Sequence, residues 1–231
     1  MLGPLSQQKS AKRLTGVVAG AKLISRQWFL ADGSTTVPNG AKWISARCEG
    51  AGGGGQGVFT NLGSGGAFSR EDRVCAAGQA ISVTVGLGVQ GAAGGNSSVS
   101  LAGNTICLAE GGKANQTPGL AANGIGTVRS SGGASSSGVN GVPASPGTNG
   151  GSGGPSPTGS AGGAAGERNV ADALILGGNG AGNANNGSSG QGGIGQFPGG
   201  GSTGVFDANS NGISTAGANG VVVIEFWSAK P

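Results

Sequence analysis

The side chains able to do chemistry are few, and their types exclude most catalysis. Among 231 residues there is no histidine and no tyrosine. That removes the commonest general base, the commonest metal ligand and every histidine-dependent triad. Nine carboxylates are present, and Glu71-Asp72 is the one adjacent pair. Neighbours in a strand point to opposite faces. Between Arg70 and Arg73, these two therefore read as a solvated charged edge rather than an acid–base couple in a cleft. The three cysteines, Cys48, Cys75 and Cys107, follow no zinc or redox spacing. Each falls in a strand-like stretch, where small buried thiols are usual. An odd count without a clear secretory leader fits folding in a reducing cytoplasm; one disulfide between two of the three is the alternative. The sequence predicts no enzyme, no cofactor and no metal.

The elements that hold these residues are β-strands bracketing a glycine filling. Fifty-five residues are glycine, crowded between about 50 and 220. Residues 23–30, with Trp28 and Phe29, read as a strand followed by an Asp32-Gly33 turn. Val37-Pro38-Asn39-Gly40 makes a second turn before a strand from Trp43 to Cys48. There Ile44, Ala46, Cys48 and Gly50 share one face, which looks into the core, while Trp43, Ser45, Arg47 and Glu49 share the other. Residues 79–85 alternate most clearly, with Ile81, Val83 and Val85 on one side and Ser82 and Thr84 on the other. Further strands are predicted over 67–75 and over 97–108, the latter folding back at Ala102-Gly103-Asn104. The sequence ends on a strand, Gly220-Val221-Val222-Val223-Ile224-Glu225-Phe226-Trp227.

From about 111 to 220 the residues are mostly Gly, Ser, Asn, Ala and Pro. The exception is Val170-Ala171-Asp172-Ala173-Leu174-Ile175-Leu176, a short strand or brief helix. A hundred residues without a core pattern do not make one loop of a compact domain. Only 10% of residues are charged and mean hydropathy is near zero, unlike a typical disordered chain. Ordering each glycine costs roughly 0.5–1 kcal/mol more than alanine in regular structure, with no side chain to bury in return. The groups left to offset this are backbone N–H and C=O, which need partners wherever they are buried. Extended helices with three residues per turn, packed side by side, meet that need. The prediction is a polyglycine-II-type block, with flexible glycine loops as the alternative. Three-residue glycine spacing never persists long enough for a collagen triple helix. Isolated apolar residues (Ile125, Val128, Ile194, Phe197, Val205, Phe206, Ile213) are candidate anchors against the β-framework or neighbouring chains.

Charge is asymmetric. Residues 1–50 carry seven of the thirteen basic side chains and two acids, Asp32 and Glu49. Lys9, Lys12, Arg13, Lys22 and Arg26 precede any acid, so the arm reads as a docking segment for an acidic surface or as a solvated tail. Nucleic-acid binding would want more charge and interleaved aromatics. Leu14-Thr15-Gly16-Val17-Val18 and Ala19-Gly20-Ala21 mimic a secretory leader only faintly, because the apolar run is short and interrupted. No stretch approaches the ~18 apolar residues of a membrane span, so no membrane insertion is expected. The expected organisation is a basic arm over 1–26, the first part of a β-framework over 27–110, a glycine-rich insert over 111–219 and a closing strand over 220–231.

One ordered set of pieces carries a resemblance: Val37-Pro38-Asn39-Gly40, Gly50-Ala51-Gly52-Gly53-Gly54-Gly55, Gly78-Gln79, Val83-Thr84-Val85-Gly86-Leu87-Gly88, a long glycine insert and Gly220-Val221-Val222-Val223-Ile224-Glu225. Over residues 27–228 the chain resembles the glycine-rich domain of bacteriophage tail-fibre and tail-tip proteins. It departs from that pattern in an insert poor in aromatics. The resemblance implies an all-β fold, a small antiparallel β-sandwich of jelly-roll or tumour-necrosis-factor-like type with the glycine block beside it, assembled as a homotrimer. It implies a virion tail protein, assembled in the host cytoplasm, that docks on other tail or baseplate proteins and binds a receptor on the host-cell surface. A purely architectural tail-tip, baseplate or decoration subunit is the alternative. Loops over 57–66, 115–137 and 195–211 are candidate contacts, through Phe59, Arg129, Phe197 and Phe206. The basic residues Lys9, Lys12, Arg13, Lys22 and Arg26 are candidates for docking to the tail.

Overall fold

The computed structural model describes residues 20–55, 63–115, 117–134, 197–202, 205–206 and 212–231. Candidates Lys9, Lys12, Arg13, Phe59 and the side chain of Phe206 lie outside the described residues, as do the apolar run 170–176 and Ile194.

Two antiparallel sheets face each other, and no α-helix is present among the described residues. The first sheet joins β1 (Leu23–Phe29), β3 (Trp43–Glu49), β4 (Phe68–Val74), β8 (Val128–Ser130) and β11 (Val221–Trp227), in the order β1-β11-β3-β4-β8. The second holds β2 (Gly33–Thr36), β5 (Ala80–Thr84), β6 (Ser97–Leu101) and β7 (Asn104–Ala109), in the order β2-β5-β6-β7. A separate two-residue ribbon pairs β9 (Val205–Phe206) with β10 (Gly212–Ile213). The fold is a small antiparallel β-sandwich.

Alternation builds the core. Ile44, Ala46 and Cys48 of β3, with Val222, Ile224 and Phe226 of β11, meet Ile81, Val83, Val99 and Cys107 of the second sheet. The β6–β7 hairpin turns at Ala102 and Gly103, both with positive φ (49° and 82°), the requirement of a tight two-residue hairpin turn. All three cysteines are buried free thiols.

One reading is extended and one is corrected. The Trp43-Ser45-Arg47-Glu49 face of β3 is also largely buried, at 0% exposure for Ser45 and Glu49. A second apolar cluster of Phe68, Val221 and Val223, with Val128 packed on it, lies on that side. Glu225 carries two ion pairs there, to Arg47 at 2.8 Å and Arg26 at 2.6 Å. Alternation marks which residues share a face, but it does not say that the polar face is wet. Likewise Glu71 and Asp72 are half-buried. Asp72 pairs with Arg70 at 2.7 Å, and Glu71 accepts a hydrogen bond from the Thr127 N–H at 2.9 Å. The segment leading into β8 has closed on an edge that read as open.

Strand directions give the molecule two unlike ends. β3, β5, β7 and β8 run towards one end, and β4, β6 and β11 start from it. The segments that leave and enter there are glycine-rich. The opposite end carries the turns at 37–42, 75–79 and 102–103 together with residues 20–22 and 228–231. It is tied by backbone bonds from Lys42 to Trp227, Cys75 to Lys42, Val37 to Gln79 and Ser228 to Lys22.

Candidate functional site

At the glycine end the chain packs through its backbone. The donors of 50–55 rotate among neighbours with a period of three. Gly50 and Gly53 donate to Ala67 and Ser64; Ala51 and Gly54 donate to Gly95 and Ala92. Gly52 donates to Ala218, and Gly55 completes the pattern through a hydroxyl: its N–H reaches Ser202 Oγ at 2.8 Å, which donates to the Thr215 carbonyl at 3.1 Å. Carbonyls point outward in the same way, Ala51 to Gly112, Gly53 to Ser202 and Gly55 to Thr215. Segment 63–67 repeats the period, with Gly63 and Gly66 donating to Ser202 and Gly199, Ser64 and Ala67 to Lys113 and Glu110, and Gly65 to Gly133. Partners that repeat every third residue are what an extended helix with three residues per turn would give.

Glycine is obligatory where these segments touch. A Cβ placed on Gly52 would run into the Gly200 carbonyl, and one on Gly217 into the Gly52 carbonyl. Buried N–H and C=O groups thus find partners without a side-chain core. The product is a backbone-bonded platform fixed to one end of the sandwich.

Glu110 pins one margin of the platform. It accepts hydrogen bonds from Lys113 Nζ at 2.7 Å, the Leu120 N–H at 2.8 Å and Asn123 Nδ2 at 2.9 Å. Burial pushes its pKa up, but these bonds and the Lys113 charge outweigh burial and hold it below the ordinary glutamate value.

Two of the four candidate contact residues have described side chains. Arg129, on edge strand β8, is exposed and donates to the Gly124 carbonyl at 2.9 Å. Phe197 is 54% exposed. Of the docking candidates, Lys22 is exposed at the opposite end, its backbone held by Ser228. Arg26 lies on β1 with its guanidinium on Glu225.

Sequence reasoning missed other exposed apolar residues at the glycine end of the strands. Leu30, Leu87 and Val89 are all exposed, and a run of bonds connects their segments. Asp32 Oδ1 accepts from the Val85 N–H, Asn219 Oδ1 accepts from the Gly88 N–H, and the Asn219 carbonyl accepts from the Gly199 N–H. The signal available was Gly86-Leu87-Gly88-Val89, large side chains set singly between glycines that cannot bury them.

Among the described residues no group of three or more potential metal ligands exists, and no helix is long and apolar enough to cross a membrane. No family model matches the chain, and no curated protein matches it.

Proposed function

We propose that the chain is a structural protein of a bacteriophage tail, at the fibre or tip, that binds the host-cell surface through its glycine-block end. The observation that carries this reading is the polarity of the fold. Residues 20–22, which continue from the basic arm, enter at one end, and the glycine platform is built on the other. A virion adhesin needs that separation: one end docks on tail or baseplate proteins, and the other is displayed to the receptor. The ordered set of glycine and strand motifs supports the phage context and a homotrimeric assembly.

A backbone-bonded platform suits display on physical grounds. Its contact residues are held before binding, so little side-chain or loop entropy is lost on contact. Phe197, Leu87 and Val89 supply exposed apolar area, and the exposed Arg129 supplies a cation.

Adsorption competition tests the reading. Purified oligomer is incubated with the host bacterium, and the virions that still attach are counted. Dose-dependent blocking is expected, weakened at least about tenfold by Phe197→Ala if that side chain is a binding anchor. A correctly folded oligomer that neither blocks adsorption nor binds cells would leave the architectural reading, a tail-tip, baseplate or decoration subunit without receptor contact.

A further inference from the structure

Two of the three buried thiols are brought together from opposite sheets. Cys48 projects inward from β3 and Cys107 inward from β7, both at 0% exposure within the same core cluster. Ser69 is the register partner of Cys48 on the adjoining strand. Cys107 Sγ lies 3.3 Å from the Ser69 carbonyl oxygen, which places the second thiol beside the first across the core. Small neighbours allow the close approach: Ala46 on β3 and Ala109 on β7 belong to the same cluster. Cys75 is elsewhere, following β4 at the opposite end of the sandwich and bonded through its N–H to Lys42.

We propose that Cys48 and Cys107 are a latent disulfide site, able to close a covalent bridge between the two sheets when the chain folds in the presence of a small-molecule disulfide such as oxidised glutathione. The reaction is two successive thiol–disulfide exchanges. One cysteine thiolate attacks the small disulfide, forming a mixed disulfide and releasing one small thiol. The second cysteine attacks the protein sulfur of that adduct, forming the Cys48–Cys107 bond and releasing the other small thiol. The two cysteine sulfurs are oxidised, the small disulfide is reduced, and the two cysteine protons end on the released thiols.

The folded state itself protects the thiols. Burial, then a hydrogen bond with Cys107, then the charges of Cys107 and Glu49, raise the Cys48 pKa well above the ordinary thiol value. A buried neutral thiol is a poor nucleophile. Closure therefore belongs to folding or to partial opening, and a chain folded under reducing conditions keeps its thiols. The device suits a protein made in a reducing compartment and exposed later to an oxidising one.

The test is refolding of the full chain from denaturant in reduced and oxidised glutathione, followed by alkylation under denaturing conditions and peptide mapping. The expected result is a Cys48–Cys107 cross-linked peptide pair, with Cys75 alkylated. The thermal midpoint should rise by roughly 10 °C, the scale for closing a loop of this length, and fall back on reduction. A Cys75→Ser variant should behave the same, and Cys107→Ser should give no bridge. Should Cys107→Ser fail to fold, mapping of the unmutated chain and the Cys75→Ser variant decides alone. Three free thiols after refolding, a bridge involving Cys75, or glutathione adducts that never resolve would each overturn the proposal.

Discussion

In the sandwich, Ile44, Val99, Ile224 and Phe226 exclude water with side chains; in the block, residues 50–55, 63–67 and 199–202 do so with peptide groups. Both regions are buried, yet they tolerate opposite errors. A core of large side chains suffers when atoms are removed, because a cavity remains. A core of backbones suffers when one atom is added, because a Cβ meets a carbonyl that belongs to another segment's hydrogen-bond pattern. The lesson is that burial alone does not define a core. What matters is which atoms supply the contact.

The largest expected effect lies in the sandwich. Phe226→Ala removes a fully buried ring and should cost about 3–5 kcal/mol of unfolding free energy, read by denaturant titration. A loss under ~1 kcal/mol would mean that the sandwich is not the main side-chain core.

Next comes the smallest possible substitution in the block. Gly52→Ala adds one methyl against the Gly200 carbonyl and should cost about 2 kcal/mol or more, as overpacking does. Gly20→Ala, whose added Cβ meets nothing within 4 Å, should stay within about 0.5 kcal/mol of the parent. Equal tolerance at the two positions would refute a backbone-packed block.

The smallest effect is at the margin of the platform and depends on pH. Because the Glu110 pKa is lower in the folded protein than in the unfolded chain, its contribution is fully present above the unfolded glutamate value, about 4.3. It is lost as pH falls from there through the folded value. Glu110→Gln should therefore reduce stability by about 1 kcal/mol at pH 7 and flatten the acid limb below about pH 4.3. Hydrogen exchange should loosen at Leu120 but not in β11. An unchanged acid limb would show that Glu110 does not hold the 110–120 segment.

Much of the strand framework was legible because it alternates. Ile81, Val83 and Val85 announced β5, the uninterrupted valines announced β11, and Ala102-Gly103-Asn104 marked the hairpin. β2 was hidden, since Gly33-Ser34-Thr35-Thr36 is polar throughout and is held by pairing with β5. β8 was hidden because three residues carry no period. The candidate site was legible only in part. Phe197 was singled out by its type, whereas Leu87 and Val89 lie just past the strand predicted over 79–85. Their segment is tied down by Asn219, which binds Gly88 and Gly199 from 131 and 20 positions away along the chain.

Composition and order by themselves determined that this chain would be all-β, poor in catalytic groups, and dependent on peptide groups to hold its glycines. Those properties follow from residue type and local period. Tertiary structure alone decided which neighbours each glycine meets, that both faces of β3 are buried, and that Cys48 and Cys107 share one place. It also decided that the platform stands at the end opposite residues 20–22. Each of these is a long-range pairing set by sheet register, and no local pattern of side chains encodes a register between strands so far apart in the chain.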